Sequence, residues 1–198
     1  MQRRISTDIR QEQIAEAALH VIATHGLSGL SMQRIAQHLD LATSALYRHF
    51  AGKEEVLDAA INRIGKRLLN MVATVRDLEV SGLESLRELL KLHIQMALEF
   101  NAIPRLLFSD QVWIGNPARK ARLYAILTAY LEEIAALLKK AQEEGAVREE
   151  LDLQYLSVMY LSLFQPAIMM LFLSDGGFDI LQHLHHAWNT FLKGITSP

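Results

Sequence analysis

The sequence predicts an all-α chain of two parts, on three observations. Apolar residues recur at helical spacing (i, i+4, i+7) along nearly every segment of the 198 residues, and no run alternates with the period of a strand. Glycine, proline and small polar residues fall at the joints between those runs, where helices start and stop. Internal repeats and low-complexity tracts are absent.

The first helix is expected from Thr7 or Asp8 to His25, with Ile14, Ala18, Val21 and Ile22 forming its inward stripe. Gly26 supplies a left-handed stop. Leu27 and Leu30 pack the loop that follows. Ser31 is an N-cap, because its hydroxyl accepts an orphan N–H of the next first turn. Ile35 and Leu39 then share one face, with Ala36 small where helices must approach closely. A break at Asp40-Leu41-Ala42 leads into a helix over Thr43–Phe50, whose Leu46 and Phe50 repeat the i, i+4 spacing. Two short helices joined by a three-residue turn plugged by Leu41 read as a helix-turn-helix.

Gly52 caps a longer helix reaching about Val75, with Glu54 and Glu55 in its favourable first turn and Leu57, Ile61, Ile64 and Leu68 on its stripe. Gly65 within it costs ~1 kcal/mol relative to Ala and signals close packing. After a loop at Glu79–Gly82, helices are expected over Leu83–Asn101, Ile103–Trp113 (Pro104 in its first turn), Pro117–Glu144, Asp152–Ser174 and Phe178–Gly194.

On the Thr43–Phe50 helix, Thr43, Ser44, Tyr47 and Arg48 fall on the arc opposite the apolar one, and no carboxylate lies between Thr43 and Lys53. Hydroxyls, a phenol and a guanidinium suit a major groove, where base edges offer donors and acceptors and phosphates line the rim. The same face also fits a solvated helical hairpin.

Gly26, Ile35-Ala36 and, above all, Leu46-Tyr47-Arg48-His49-Phe50 followed by Lys53-Glu54-Glu55 resemble the DNA-binding domain of the TetR family of bacterial transcriptional regulators. The resemblance covers about residues 10 to 60. It departs at Asp40, where the family usually has Gly in the turn, and at Ala42, where Ser is common. Asp tolerates positive φ better than most residues, and Ala removes a cap.

The resemblance implies a DNA-binding domain at residues 1–53 and a helical ligand-binding and dimerisation domain at 54–198. The homodimer would place two recognition helices in successive major grooves, about 34–36 Å apart, on a palindromic double-stranded operator. Gln33, Thr43 and Ser44 are expected on base edges, and Arg48 on a base or a phosphate. Tyr47, His49 and Lys53 are expected on phosphate. A repressor released by a small effector is the expected role. An activator, a regulator controlled by a partner protein, and a small-molecule-binding helical domain with an incidental helix-turn-helix stay open.

Charge is distributed to match. The net charge is −2, but residues 1–53 carry +2 and the remainder −4. Arg3 and Arg4 form either a solvated tail or a basic arm along DNA. No cysteine is present and no apolar leader precedes the first helix, so a cytoplasmic protein is expected. The apolar segment Leu156–Leu173 reaches the length of a membrane span, but its central Gln165-Pro166 and the lack of a basic cluster after Ser174 argue for a helix covered by protein, with no membrane partner.

No catalytic constellation is found, and no cofactor is expected: there is no phosphate-binding loop, thiol nucleophile or isolated acid pair. Asp179, His183 and His186 share a helix face in a pattern a zinc-like ion uses, yet a fourth ligand is not evident, so no metal is assigned. Candidates for an apolar or aromatic effector pocket are Met96, Phe100, Phe108, Trp113, Tyr124, Tyr155, Met159 and Phe164, with Met71 beside them. Gln165, Asn101 and Gln111 are candidate polar anchors.

Overall fold

The computed structural model describes residues 7–99, 106 and 109–196. Among them the regular elements are helices, with no strand: α1 (Thr7–His25), α2 (Met32–His38), α3 (Thr43–Leu46), α4 (Lys53–Arg76), α5 (Gly82–Glu99), α6 (Asp110–Trp113), α7 (Pro117–Glu143), α8 (Leu153–Ser162), α9 (Gln165–Leu173) and α10 (Ile180–Ile195). A single 3-10 turn, Leu27–Gly29, joins α1 to α2. The all-α class is as the periodicity predicts.

The chain divides into two compact units. One gathers the described residues of Met1–Arg67 and Glu99–Ile126; the other holds Leu68–Leu98 and those of Leu127–Pro198. Helices α4 and α7 each run without interruption from the first unit into the second.

The first unit closes around Ile14, Ala18, Ile22, Ile35, Leu46, Val56 and Ala60, with Leu106 and Val112 joining from later in the chain. On its flank Arg63 pairs with both Glu12 and Glu16, and Lys66 reaches Glu12 at 2.7 Å, tying α1 to α4. The hydrogen bond from Lys66 is the main reason the Glu12 carboxyl lies below the usual carboxylate range.

In the second unit α5 and α7 meet so closely at Gly82 that a Cβ there would lie 2.4 Å from the Ala141 backbone nitrogen. Its core is aromatic and partly polar. His93 donates through Nδ1 to the Leu89 carbonyl at 3.0 Å and accepts the Tyr130 hydroxyl at Nε2, 2.9 Å away. The Phe164 ring lies 4.1 Å from the imidazole, and the Tyr160 hydroxyl donates to the Leu86 carbonyl at 2.7 Å. The His93 ring and the Tyr130 and Tyr160 hydroxyls each have a partner, as a low-dielectric interior demands. Burial pushes the imidazole pKa down to about 4 and both phenols up.

Three sequence expectations need correction. The helix expected over Asp152–Ser174 is two helices, α8 and α9, interrupted at Leu163 and Phe164. Pro166 in the first turn of α9 has no N–H to give Ser162, and its ring excludes a continuous ladder. The last helix begins at Ile180, because Asp179 caps it by accepting the Gln182 N–H at 2.9 Å. The recognition helix is shorter than Thr43–Phe50: regular α geometry spans Thr43–Leu46, and Tyr47–His49 continue as a hydrogen-bonded turn. The expected helix over Ile103–Trp113 lies partly outside the described residues; its described part is α6.

Candidate nucleic-acid interface

The geometry starts at the α2 terminus. Ser31 caps α2, its hydroxyl accepting the Arg34 N–H at 3.2 Å. At the other end Asp40 has φ 52°, its N–H reaches the Gln37 carbonyl at 3.2 Å, and the Leu41 N–H reaches the Ala36 carbonyl at 2.9 Å. This is a Schellman motif with Asp in the left-handed position that Gly usually fills. The left-handed turn redirects the chain into α3. Ala42, at the N-cap of α3, gives no side-chain cap.

Leu46 is fully buried and Phe50 nearly so, which fixes the rotation of the segment about its axis. Ser44, Tyr47 and Arg48 therefore stand exposed on the opposite side, Tyr47 at 55 %. Thr43 is half-buried. Gln33 on α2 and Lys53 at the start of α4 are exposed. His49 is half-buried with its Nδ1 buried and unpartnered, so its ring is turned further inward than the sequence suggests. Arg3 and Arg4 lie outside the described residues.

Three supports of this surface were not anticipated from the sequence. Gln11 on α1 donates to the His49 carbonyl at 3.1 Å, pinning the end of the recognition segment to α1. Glu55 in the first turn of α4 accepts the Ala51 N–H at 2.7 Å, tying the approach to the helix to its first turn. Arg119, at the start of α7 and almost wholly buried, donates from Nε to Asp58 at 2.7 Å and from Nη2 to the Glu54 carboxylate at 2.9 Å. Burial opposes its charge, but the hydrogen bonds to Asp58 and Glu54 prevail and raise its pKa. Its partners lie 61 and 65 residues away, so no local sequence signal marks it.

The described effector candidates divide between the two units. Met71, Met96 and Phe164 are buried in the second unit and Gln165 is half-buried there. Tyr155 and Met159, also in that unit, are exposed, whereas Leu156 and Tyr160 beside them on α8 are buried. Trp113 and Tyr124 belong to the first unit and are exposed. Phe100, Asn101 and Phe108 lie outside the described residues, as does the Gln111 side chain. Of the histidine-rich face, Asp179 is spent as a cap, and His183 Nε2 is 3.0 Å from the Leu163 carbonyl.

Residues 14–60 match the family of bacterial regulatory proteins described as tetR. The chain is 24 % identical over 184 residues to the nucleoid occlusion factor SlmA of Shewanella pealeana, the match covering 91 % of each. It is 42 % identical over 53 residues to the HTH-type transcriptional repressor DrrR1 of Streptomyces coeruleorubidus, covering 27 % of this chain and 20 % of that one. Its fold superposes on a TetR transcriptional regulator from Chloroflexus aurantiacus with a TM-score of 0.78, at 18 % identity, over 96 % of this chain and 98 % of the other. Residues 14–60 thus carry the segment described by the tetR family of bacterial regulatory proteins, and the chain has the fold of a TetR transcriptional regulator.

Proposed function

We propose that the protein is a cytoplasmic repressor that binds a palindromic operator as a homodimer and is released by a small apolar or aromatic molecule. Residues 1–53 form the DNA-binding domain and 54–198 the ligand-binding and dimerisation domain. Gln33, Thr43 and Ser44 read base edges, and Arg48 a base or a phosphate. Tyr47, His49 and Lys53 hold phosphate, Lys53 beside the positive N-terminus of α4. The observation that carries this reading is the carboxylate-free exposed surface of Ser44, Tyr47 and Arg48 above buried Leu46 and Phe50.

Dimerisation is supported by an apolar face in the second unit: Tyr155, Val158, Met159, Met170, Leu173 and Leu181 are each at least half exposed. A patch of this kind marks an interaction surface, and α8 to α10 are the helices assigned to the partner copy. The effector acts by binding more tightly to a head spacing that no longer matches the grooves, with α4 as the mechanical link. Candidate pocket residues are Met96, Phe100, Phe108, Trp113, Tyr124, Tyr155, Met159, Phe164 and Gln165.

Gel shift with the intergenic DNA upstream of the gene tests the reading. The wild-type protein retards the fragment, and Tyr47→Ala with Lys53→Ala abolishes retardation while leaving the helical spectrum intact. Retardation by neither protein contradicts it. A second reading is favoured by the likeness to the Shewanella protein across nearly the whole chain: a nucleoid occlusion factor. Chromosome-wide occupancy separates the two, one or a few operators against many dispersed sites.

A further inference from the structure

The start of α4 is electrostatically awkward for a protein that meets DNA there. Lys53 and the free N–H groups of the first turn favour a phosphate, yet Glu54, Glu55 and Asp58 crowd the same two turns. Glu55 is occupied by the Ala51 N–H. The other two carboxylates are both held by Arg119: Nε to Asp58 at 2.7 Å, Nη2 to Glu54 Oε2 at 2.9 Å, and a longer contact from Nη2 to the Glu54 carbonyl at 3.4 Å. Arg122 adds a further contact to Asp58 at 3.4 Å.

Arg119 is itself held firmly. Asn116 caps its turn by accepting the Arg119 N–H at 2.9 Å, and the guanidinium lies in a nearly closed site. One heptad further on, Ile126 sits against Gly65. The Arg119–Asp58 and Ile126–Gly65 contacts share the same offset of 61 residues, so α4 and α7 run parallel here and neither slides without losing both. Such a preset guanidinium masks carboxylates without the ordering cost of a mobile surface lysine.

We propose that Arg119 sets the DNA affinity of the helix-turn-helix from outside it, by masking Glu54 and Asp58 beside Lys53 and fixing the first turn of α4. The proposal rests on the DNA-binding reading above. Arg119 touches no DNA; it is a positioning residue. Without it, Glu54 stands unmasked and Asp58 keeps only the longer contact from Arg122, so negative charge stands where a phosphate must come, and like charge repels.

The test is fluorescence anisotropy with a labelled mixed-sequence duplex of about 30 base pairs, at several salt concentrations and below the melting temperature of each variant. Arg119→Met is expected to weaken binding about tenfold at matched folded fraction, most strongly at low salt, where charge is least screened. Adding Glu54→Gln and Asp58→Asn to that variant is expected to restore affinity to within about threefold of the wild type. A purely structural role predicts no such rescue, since no lost hydrogen bond is remade. Should Arg119→Met fail to fold, Glu54→Gln alone, at an exposed carboxylate, is expected to tighten binding about threefold. Wild-type binding by Arg119→Met, a folded but unrescued triple variant, or unchanged binding by Glu54→Gln overturns the inference. No binding by the wild type overturns the DNA reading itself.

Discussion

Ile126 fills a notch on α4 that exists only because residue 65 is glycine: a Cβ on Gly65 would lie 3.0 Å from both Cγ1 and Cγ2 of Ile126. A helix-interior glycine ordinarily weakens a helix by ~1 kcal/mol relative to alanine. Its presence here is explained by what it admits, and the crossing anchors two helices that both continue into the second unit.

Gly65→Ala is therefore expected to behave oppositely in two backgrounds. Against wild-type Ile126, crowding offsets the gain in helix propensity, and the variant is expected to lose about 1 kcal/mol. Against Ile126→Ala the same change is expected to gain ~1 kcal/mol, because propensity acts unopposed. Urea denaturation of the four proteins measures the coupling. Equal effects in both backgrounds would remove the notch from the account.

Asp40 occupies a left-handed position at φ 52°. Asp40→Gly is expected to stabilise the protein by about 0.5 kcal/mol, the relief of backbone strain exceeding the added freedom of the unfolded chain. Asp40→Val, β-branched at the same φ, is expected to cost about 1–2 kcal/mol. Thermal melting checks both signs. A more stable Val variant would mean that the turn does not hold this conformation in solution.

At the neighbouring N-cap, Ala42 leaves the first N–H groups of α3 without a side-chain acceptor. Ala42→Ser is expected to add about 0.5–1 kcal/mol, the ordinary value of a cap. The measurement is the denaturation midpoint at unchanged slope; no shift would show that those N–H groups are already well satisfied.

His93 gives a pH signature. Its folded pKa is held at about 4 by burial, against 6.5 in the unfolded chain. Between those values the unfolded chain binds a proton that the folded chain refuses, so stability rises with pH through the window. Acidification from pH 6.5 to 4 is expected to cost roughly 3 kcal/mol from this group, with no further loss from it below pH 4. His93→Gln, which retains a donor and an acceptor near Tyr130 and Leu89, is expected to flatten that part of the stability curve. An unchanged slope would place the titrating groups elsewhere.

The legible parts of the fold are those written in local chemistry. Ser31, Gly26 and the Ile35/Leu39 and Leu46/Phe50 pairs specify the helix-turn-helix within a few residues of one another, and the buried and exposed faces follow from their spacing. Even the odd Asp40 was readable, because positive φ is a property of a single position. Elements settled by distant partners were not. Apolar residues continue on both sides of Pro166, so hydropathy alone suggests one helix where the backbone needs two. Tyr155 and Met159 read as pocket residues by type, but which side of α8 is covered depends on Tyr160 meeting Leu86 of α5 and Phe191 of α10. Arg119 is one basic residue among several in its stretch until Asp58 is brought to it by the fold.

The central claim is that the surface around Tyr47 reads duplex DNA. Selection of bound sequences from a randomised duplex pool, followed by footprinting of the winner, tests it most directly. The account predicts a palindromic site protected in two adjacent major grooves about 34–36 Å apart, with Ser44→Ala altering the preferred bases and Tyr47→Ala with Lys53→Ala losing the footprint. A pool that converges on no sequence, or a footprint unchanged by those substitutions, would contradict it.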